Sequence, residues 1–182
     1  MPERRGRPLD TYSGQHFYPL DPRPDDIRIE DIAHGLANTC RYSGQCRHYY
    51  SVATHSRYVS DALAAEGPRV QLYGLFHDAA EAYVGDVPRP LKREFDRFDR
   101  IEREILGAVW DRLSIPAPTE AEWQTVMAAD DRLLRFEADD LLSAFQPASV
   151  PDLPYELQPC SPTDARDRFL ARARDLADTV SE

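Results

Sequence analysis

Apolar residues recur along this chain at steps of three and four, the period of an amphipathic helix, and the successive stripes predict an all-α fold. A first helix is expected over residues 29–41, with Ile32, Leu36, Thr39 and Cys40 on one face. A loop through Ser43 and Gly44 follows, and a second helix over 51–66 takes Ser51 as its N-cap and stops at Gly67 and Pro68. The third, over 69–84, is apolar almost all round (Leu72, Tyr73, Leu75, Phe76, Ala79, Ala80, Tyr83), which marks a helix buried in a core. Gly85 ends it, and a loop stiffened by Pro88 and Pro90 leads away. A fourth helix over 91–113 carries Phe98, Ile101, Ile105, Val109 and Leu113, and its many charges read as a solvated outer face. Thr119 with Glu122 forms a capping-box pattern that opens a long helix to about residue 145. After a proline-rich stretch, a last helix carries Phe169, Ala173 and Leu176. Residues 1–28 lack a period and read as an extended arm laid over a single helical domain spanning 29–182.

Three of these stripes contain residues that do not belong in an apolar core. His55 stands in the second stripe, three after Val52 and four before Val59. His77, Asp78 and Glu81 sit on the all-apolar helix. Asp130 falls inside the stripe of Val126, Met127, Leu133 and Leu134, whereas Asp131 is displaced toward Arg135. An isolated buried charge costs several kcal/mol even after relaxation, so such groups need partners. If the three helices form one bundle, His55, His77, Asp78 and Asp130 make a two-histidine, two-carboxylate set drawn from at least three helices. That set suits one divalent cation of the Mn, Fe, Co, Ni or Zn kind. Glu137, two helical turns after Asp130, is read as structural, and His34, off its stripe, as a surface residue. His48 lies in a loop and is given no role.

Composition adds limits rather than a direction. With 182 residues, 42% apolar and 30% charged, the chain has the profile of one soluble globular domain, and it holds no apolar run near the roughly 20 residues of a membrane span. The first residues lack the apolar stretch of a secretory signal, which leads to the expectation of a cytoplasmic protein. Three cysteines without CxxC spacing suggest neither a disulfide framework nor a thiolate zinc site. A net charge of −10 opposes binding to a nucleic-acid polymer. A small anion would instead need local positive charge, which Arg41, Arg47 and His48 offer before the second helix and residues 89–93 offer after the third.

The spaced motifs VATHS, HDAAEAYVGDVPRPLK and AADDRLLRFE resemble the HD-domain metal-dependent phosphohydrolases, most closely the small enzymes of that superfamily that act on deoxynucleotides. Those carry HDxxE followed by GDxPxPxK, and the similarity covers about residues 31–142. The resemblance implies an HD-type helical bundle with His55, His77, Asp78 and Asp130 as metal ligands. It implies that Glu81 assists the attacking water or the leaving group and that Asp86 orients a ribose hydroxyl or the water. Arg41 and Lys92 would hold phosphate, and Tyr42 stands where many relatives place tryptophan or phenylalanine for stacking. It also admits a homodimer or higher homo-oligomer, for which no residue here locates an interface.

The expected activity is therefore a 5′-deoxynucleotidase that releases phosphate from deoxynucleoside monophosphates. Two alternatives stand beside it. One keeps the site and releases triphosphate from a deoxynucleoside triphosphate. The other is a non-catalytic module that senses a nucleotide; the presence of all four ligands together with Glu81 speaks against it.

Overall fold

The computed structural model describes residues 3–95, 97–146 and 148–181. The fold is all-α, as the periodicity predicts. Its helices are α1 (Ile29–Asn38), α2 (Val52–Ala62), α3 (Pro68–Phe76), α4 (Glu81–Val84), α5 (Arg89–Lys92), α6 (Phe98–Leu113), α7 (Glu120–Leu141) and α8 (Pro162–Ser181). No helix among the described residues is long and apolar enough to cross a membrane.

The core lies where α1, α2, α3 and α8 meet. Ile32 and Leu36 of α1, Val52 and Val59 of α2, Leu72, Leu75 and Phe76 of α3 and Phe169 of α8 are all fully or almost fully buried there. Phe76 and Phe169 meet edge to face at 5.2 Å, a favoured aromatic geometry. The predicted caps hold: Ser51 accepts from Thr54 N, and Thr119 with Glu122 makes the reciprocal capping box that opens α7. Helix α7 packs across α2 and α3, which brings its middle, around Asp130, over the ends that matter below.

Several expectations need correction. The arm is not featureless: β1 (Leu9–Asp10) and β2 (His16–Phe17) pair as an antiparallel ribbon. Its turn is tied down by Asp31 of α1, whose carboxylate accepts from Thr11 Oγ1 and from Ser13 N and Oγ. Phe17 and Ile27 are fully buried, so the arm belongs to the same core as the helices. His34 is not a bare surface residue, because its ring stacks on Tyr12 at 3.9 Å.

The helix expected over 69–84 breaks between α3 and α4. Backbone bonds from Ala79 N to Phe76 O and from Glu81 N to Asp78 O reach back three residues instead of four, so the helix tightens into 3-10-like turns. The His77 ring supplies the cause on the donor side, its Nδ1 donating to Gly74 O at 2.8 Å. His77 and Asp78 consequently lie in a turn at the end of α3, not within a regular helix. The helix expected over 91–113 is likewise split into α5 and α6, and one residue of the break, Asp96, lies outside the described residues. Helix α7 ends at Leu141, four residues short of expectation, where loop residue Arg47 caps it. Arg47 N donates to Leu141 O and its guanidinium to Asp140 O, satisfying carbonyls that a helix end leaves unpaired.

Candidate metal centre and pocket

Each residue of the centre arrives by a separate local device. His55 lies near the start of α2 and has no solvent exposure. His77 and Asp78 come from the turn after α3, and Asp130 from the middle of α7. Arg41 is delivered by the loop between α1 and α2, whose ends are sewn together: Arg41 N donates to Tyr50 O and Val52 N to Thr39 O. Within that loop Tyr42 and Ser43 adopt left-handed backbone angles (φ 54° and 53°), an uncommon conformation for residues with a Cβ. Tyr42 is held there by its hydroxyl, which donates to Leu134 O at 3.3 Å.

The two histidines are set in the same tautomer. His77 Nδ1 donates to a backbone carbonyl, and His55 Nδ1 donates to the buried carboxylate of Glu137 at 2.7 Å. With a proton on each Nδ1, Nε2 is the ring atom left to face the carboxylates and the one that could ligate a metal. Both Nε2 atoms are buried and neither has a hydrogen-bond partner. Around them, His55 Nε2 is 3.1 Å from Asp130 Oδ1 and 3.8 Å from Asp78 Oδ2. His77 Nε2 is 3.2 Å from Asp78 Oδ2 and 3.9 Å from Asp130 Oδ1. Atoms that share a cation at about 2.0–2.2 Å stand about 3–4 Å from one another, so these spacings are compatible with a common ion.

His55, His77 and Asp78 each offer a ligand atom within 4.8 Å of the others and can hold a metal ion. Asp130 stands at the edge of that group. Its Oδ1 faces the histidines, while its Oδ2 accepts from Arg89 Nη2 at 2.7 Å. Arg89 is steadied in turn by Asp131, 2.8 Å from Nη1. Sequence reasoning turned Asp131 toward Arg135; its partner is instead this arginine from α5.

The electrostatics favour a cation at the centre. Burial and Arg41 oppose a proton on His55, yet Glu137 and Asp130 outweigh them and lift its pKa to about 9. Burial likewise opposes ionisation of Asp78, but the two histidines draw it down to about 2. Asp130 is depressed further, again against burial, by His55 and His77. A cage that stabilises protons on imidazole nitrogen will stabilise a metal ion there instead. Glu81 behaves in the opposite way: burial first, then the Asp78 and Asp86 charges, push its carboxyl well above the usual range. Its Oε2 is buried without a partner. Burial, and after it Asp78, also raises Asp86, despite Arg41.

A cavity of about 350 Å3 opens onto this centre, within the size range of small-molecule sites. Arg41, Tyr42, Asp78, Glu81, Asp86, Arg89, Lys92 and Asp130 line its polar end. Met127, Leu134, Ala138, Leu142 and Phe145 supply its apolar wall. A second cavity, of about 400 Å3, adjoins it and shares Asp78, Glu81, Lys92 and Met127. A larger hollow of about 640 Å3 between the arm and α6 contains none of the clustered groups. Every predicted site residue other than His55 and His77 thus lines the first cavity, and those two point their Nε2 atoms toward Asp78 and Asp130, which do.

Two contributors were not named as site residues from sequence, although Glu137 was read as structural. Glu137 is fully buried and accepts from His55, Tyr50 and Arg41. Its position two turns from Asp130 was the available signal. Arg89 was visible only as one charge in a basic patch, because its contact with Asp130, 41 residues away in the chain, is made only in the folded structure.

These features define an all-α domain with a buried His/Asp cluster that can hold a metal ion at the base of a polar cavity. No family model matches the chain. It is 31% identical over 174 residues to the uncharacterized protein YfdR of Escherichia coli, covering 93% of this chain and 96% of that one. It is 34% identical over 188 residues to the uncharacterized protein RCAP_rcc00048 of Rhodobacter capsulatus, covering 93% and 95%. The chain belongs to the family that contains YfdR.

Proposed function

We propose that this protein is a metal-dependent phosphohydrolase of the HD type acting on nucleotides, releasing phosphate from deoxynucleoside 5′-monophosphates. The observation that carries the proposal is the pair of buried, unpartnered histidine Nε2 atoms beside Asp78 and Asp130, next to a cavity whose lining includes Arg41, Arg89 and Lys92. The donor set of imidazole and carboxylate fits Mn, Fe, Co, Ni or Zn. When bound, such an ion would supply a Lewis acid against phosphoryl oxygen and an acidified water.

The chain's own groups fit the remaining work. Arg41, Arg89 and Lys92 put positive charge on the cavity wall, where transferring phosphoryl groups need it. In hydrolysis, water oxygen bonds to phosphorus, the ester P–O bond breaks, and the leaving 5′ oxygen takes a proton. Glu81 suits that last need, since burial and its acidic neighbours raise the pKa of its carboxyl. Asp86, on the same wall, is placed to orient a sugar hydroxyl or the water. The apolar wall from Met127 to Phe145 offers a surface for the nucleoside. The nucleotide assignment rests on the GDxPxPxK-type motif together with that wall.

The test is phosphate release from mono- and triphosphates of each deoxynucleoside with Mn, Co, Ni or Zn, beside His77→Ala. Monophosphates should turn over and the variant should not. Triphosphate release from deoxynucleoside triphosphates in place of phosphate release from monophosphates would move the activity to that substrate. No turnover on any member, or undiminished turnover in the variant, overturns the enzymatic reading.

A further inference from the structure

Glu137 is a carboxylate with no solvent exposure, placed between two functional halves of the site. Its Oε1 accepts from His55 Nδ1 at 2.7 Å and from the Tyr50 hydroxyl at 2.8 Å. Its Oε2 accepts from Arg41 Nη2 at 3.2 Å. His55 and Arg41, in turn, point their other ends at the same place: His55 Nε2 is 3.8 Å and Arg41 Nη1 3.7 Å from Asp78 Oδ2. A buried carboxylate is tolerated only when charge and hydrogen bonds compensate it, and here the compensation is supplied by one candidate metal ligand and one candidate anion-binding residue.

We infer that Glu137 is the positioning residue that fixes His55 for metal and Arg41 for the substrate phosphate at once, so that one buried carboxylate couples the two halves of the site. The inference rests on the metal-site reading above. Through Oε1 it pins the proton of His55 to Nδ1 and keeps Nε2 a lone-pair donor, the role carboxylates play behind metal-bound histidines. Through Oε2 it holds the Arg41 guanidinium against the cavity, where an unpinned arginine would be free to fold elsewhere. An amide has a single acceptor oxygen and can serve one of these functions but not both. If glutamine at this position turns its NH2 toward Arg41, two donors face each other and Arg41 is released. If it turns its NH2 toward His55, the ring must accept at Nδ1, and its proton moves to Nε2, into the metal position.

The experiment compares wild type, Glu137→Gln, Tyr50→Phe and His77→Ala, read by Co2+ titration against a competing chelator and by inorganic phosphate binding. Tyr50→Phe removes one donor to Glu137 while leaving His55 and Arg41 in place, so it reports what mere loss of a buried hydrogen bond does. Glu137→Gln should lose about 10- to 100-fold in affinity for Co2+, for phosphate, or for both. Tyr50→Phe should keep both affinities while melting at a lower temperature. Unchanged affinities in Glu137→Gln, or equal losses in Tyr50→Phe, overturn the positioning role while leaving the metal site standing. If wild type takes up no Co2+, or His77→Ala takes up as much as wild type, the metal reading falls and this inference with it.

Discussion

Asp130 and Asp131 are neighbours in the chain with opposite surroundings. Asp130 is 4% exposed, with one carboxylate oxygen turned to the two histidines. Asp131 leaves its side chain about half exposed and touches the site only through Arg89. Asp130→Ala should lower Co2+ affinity by more than the roughly 10- to 100-fold typical of losing an outer-shell partner. Asp131→Ala removes one exposed ion pair, worth about 0–1 kcal/mol, and leaves the Arg89 bond to Asp130 intact. Its metal affinity should stay near that of wild type. Equal losses in the two variants, measured by the same titration, would mean that Arg89 needs Asp131 to hold the ligand. The difference between these aspartates was legible in the sequence because Asp130 lies three or four residues from all of Val126, Met127, Leu133 and Leu134, whereas Asp131 keeps that spacing only to Met127 and Leu134. The role of Glu137 was not, because periodicity places a side chain on a face and says nothing of the donors that arrive there from other helices.

At the scale of elements, the short helix that carries Glu81 is located by a close approach. Helix α1 presents Gly35 to α4, and a Cβ built there would lie 2.7 Å from Ala82 O, 2.8 Å from Ala82 Cβ and 2.9 Å from Ala82 Cα. Two of those atoms are backbone, so the collision is relieved only by moving α4. Gly35→Ala should therefore destabilise by about 1–3 kcal/mol, as overpacking does, and shift Glu81. Gly107, inside α6, has nothing within 4 Å of its Cβ position, and Gly107→Ala should stabilise by up to about 1 kcal/mol through helix propensity alone. Denaturant melts that move both variants in the same direction would contradict this account of the α1–α4 contact. Helices with a clear apolar stripe, α1, α2, α7 and α8, were readable from sequence to within a few residues. The break after Phe76 was not, since Leu75, Phe76, Ala79 and Ala80 continue an apolar pattern straight through it. What breaks the helix is a change of hydrogen-bond partner and a histidine ring on Gly74 O, and apolar spacing carries neither.

Over the whole molecule, the candidate centre ties together segments distant in sequence: residue 55 in α2, residues 77 and 78 after α3, and residue 130 in α7. Those segments converge only in the folded chain, so the unfolded chain cannot present the same set of donors. Binding confined to the native state stabilises it by about 2.7 kcal/mol when the free ligand is at 100 times its Kd. The local charge reinforces the expectation, because Asp78, Asp130 and Glu137 are depressed carboxylates buried together in a protein whose net charge is already −10. Their mutual repulsion is offset by Arg41, and a divalent ion would offset it more fully. Adding Co2+ or Mn2+ should raise the melting temperature of the wild type in a concentration-dependent way, and a chelator should reverse the gain. His77→Ala should melt at the same temperature with and without metal. A wild-type melt indifferent to every metal of the set would mean that the four residues form a structural hydrogen-bonded cluster rather than a metal site.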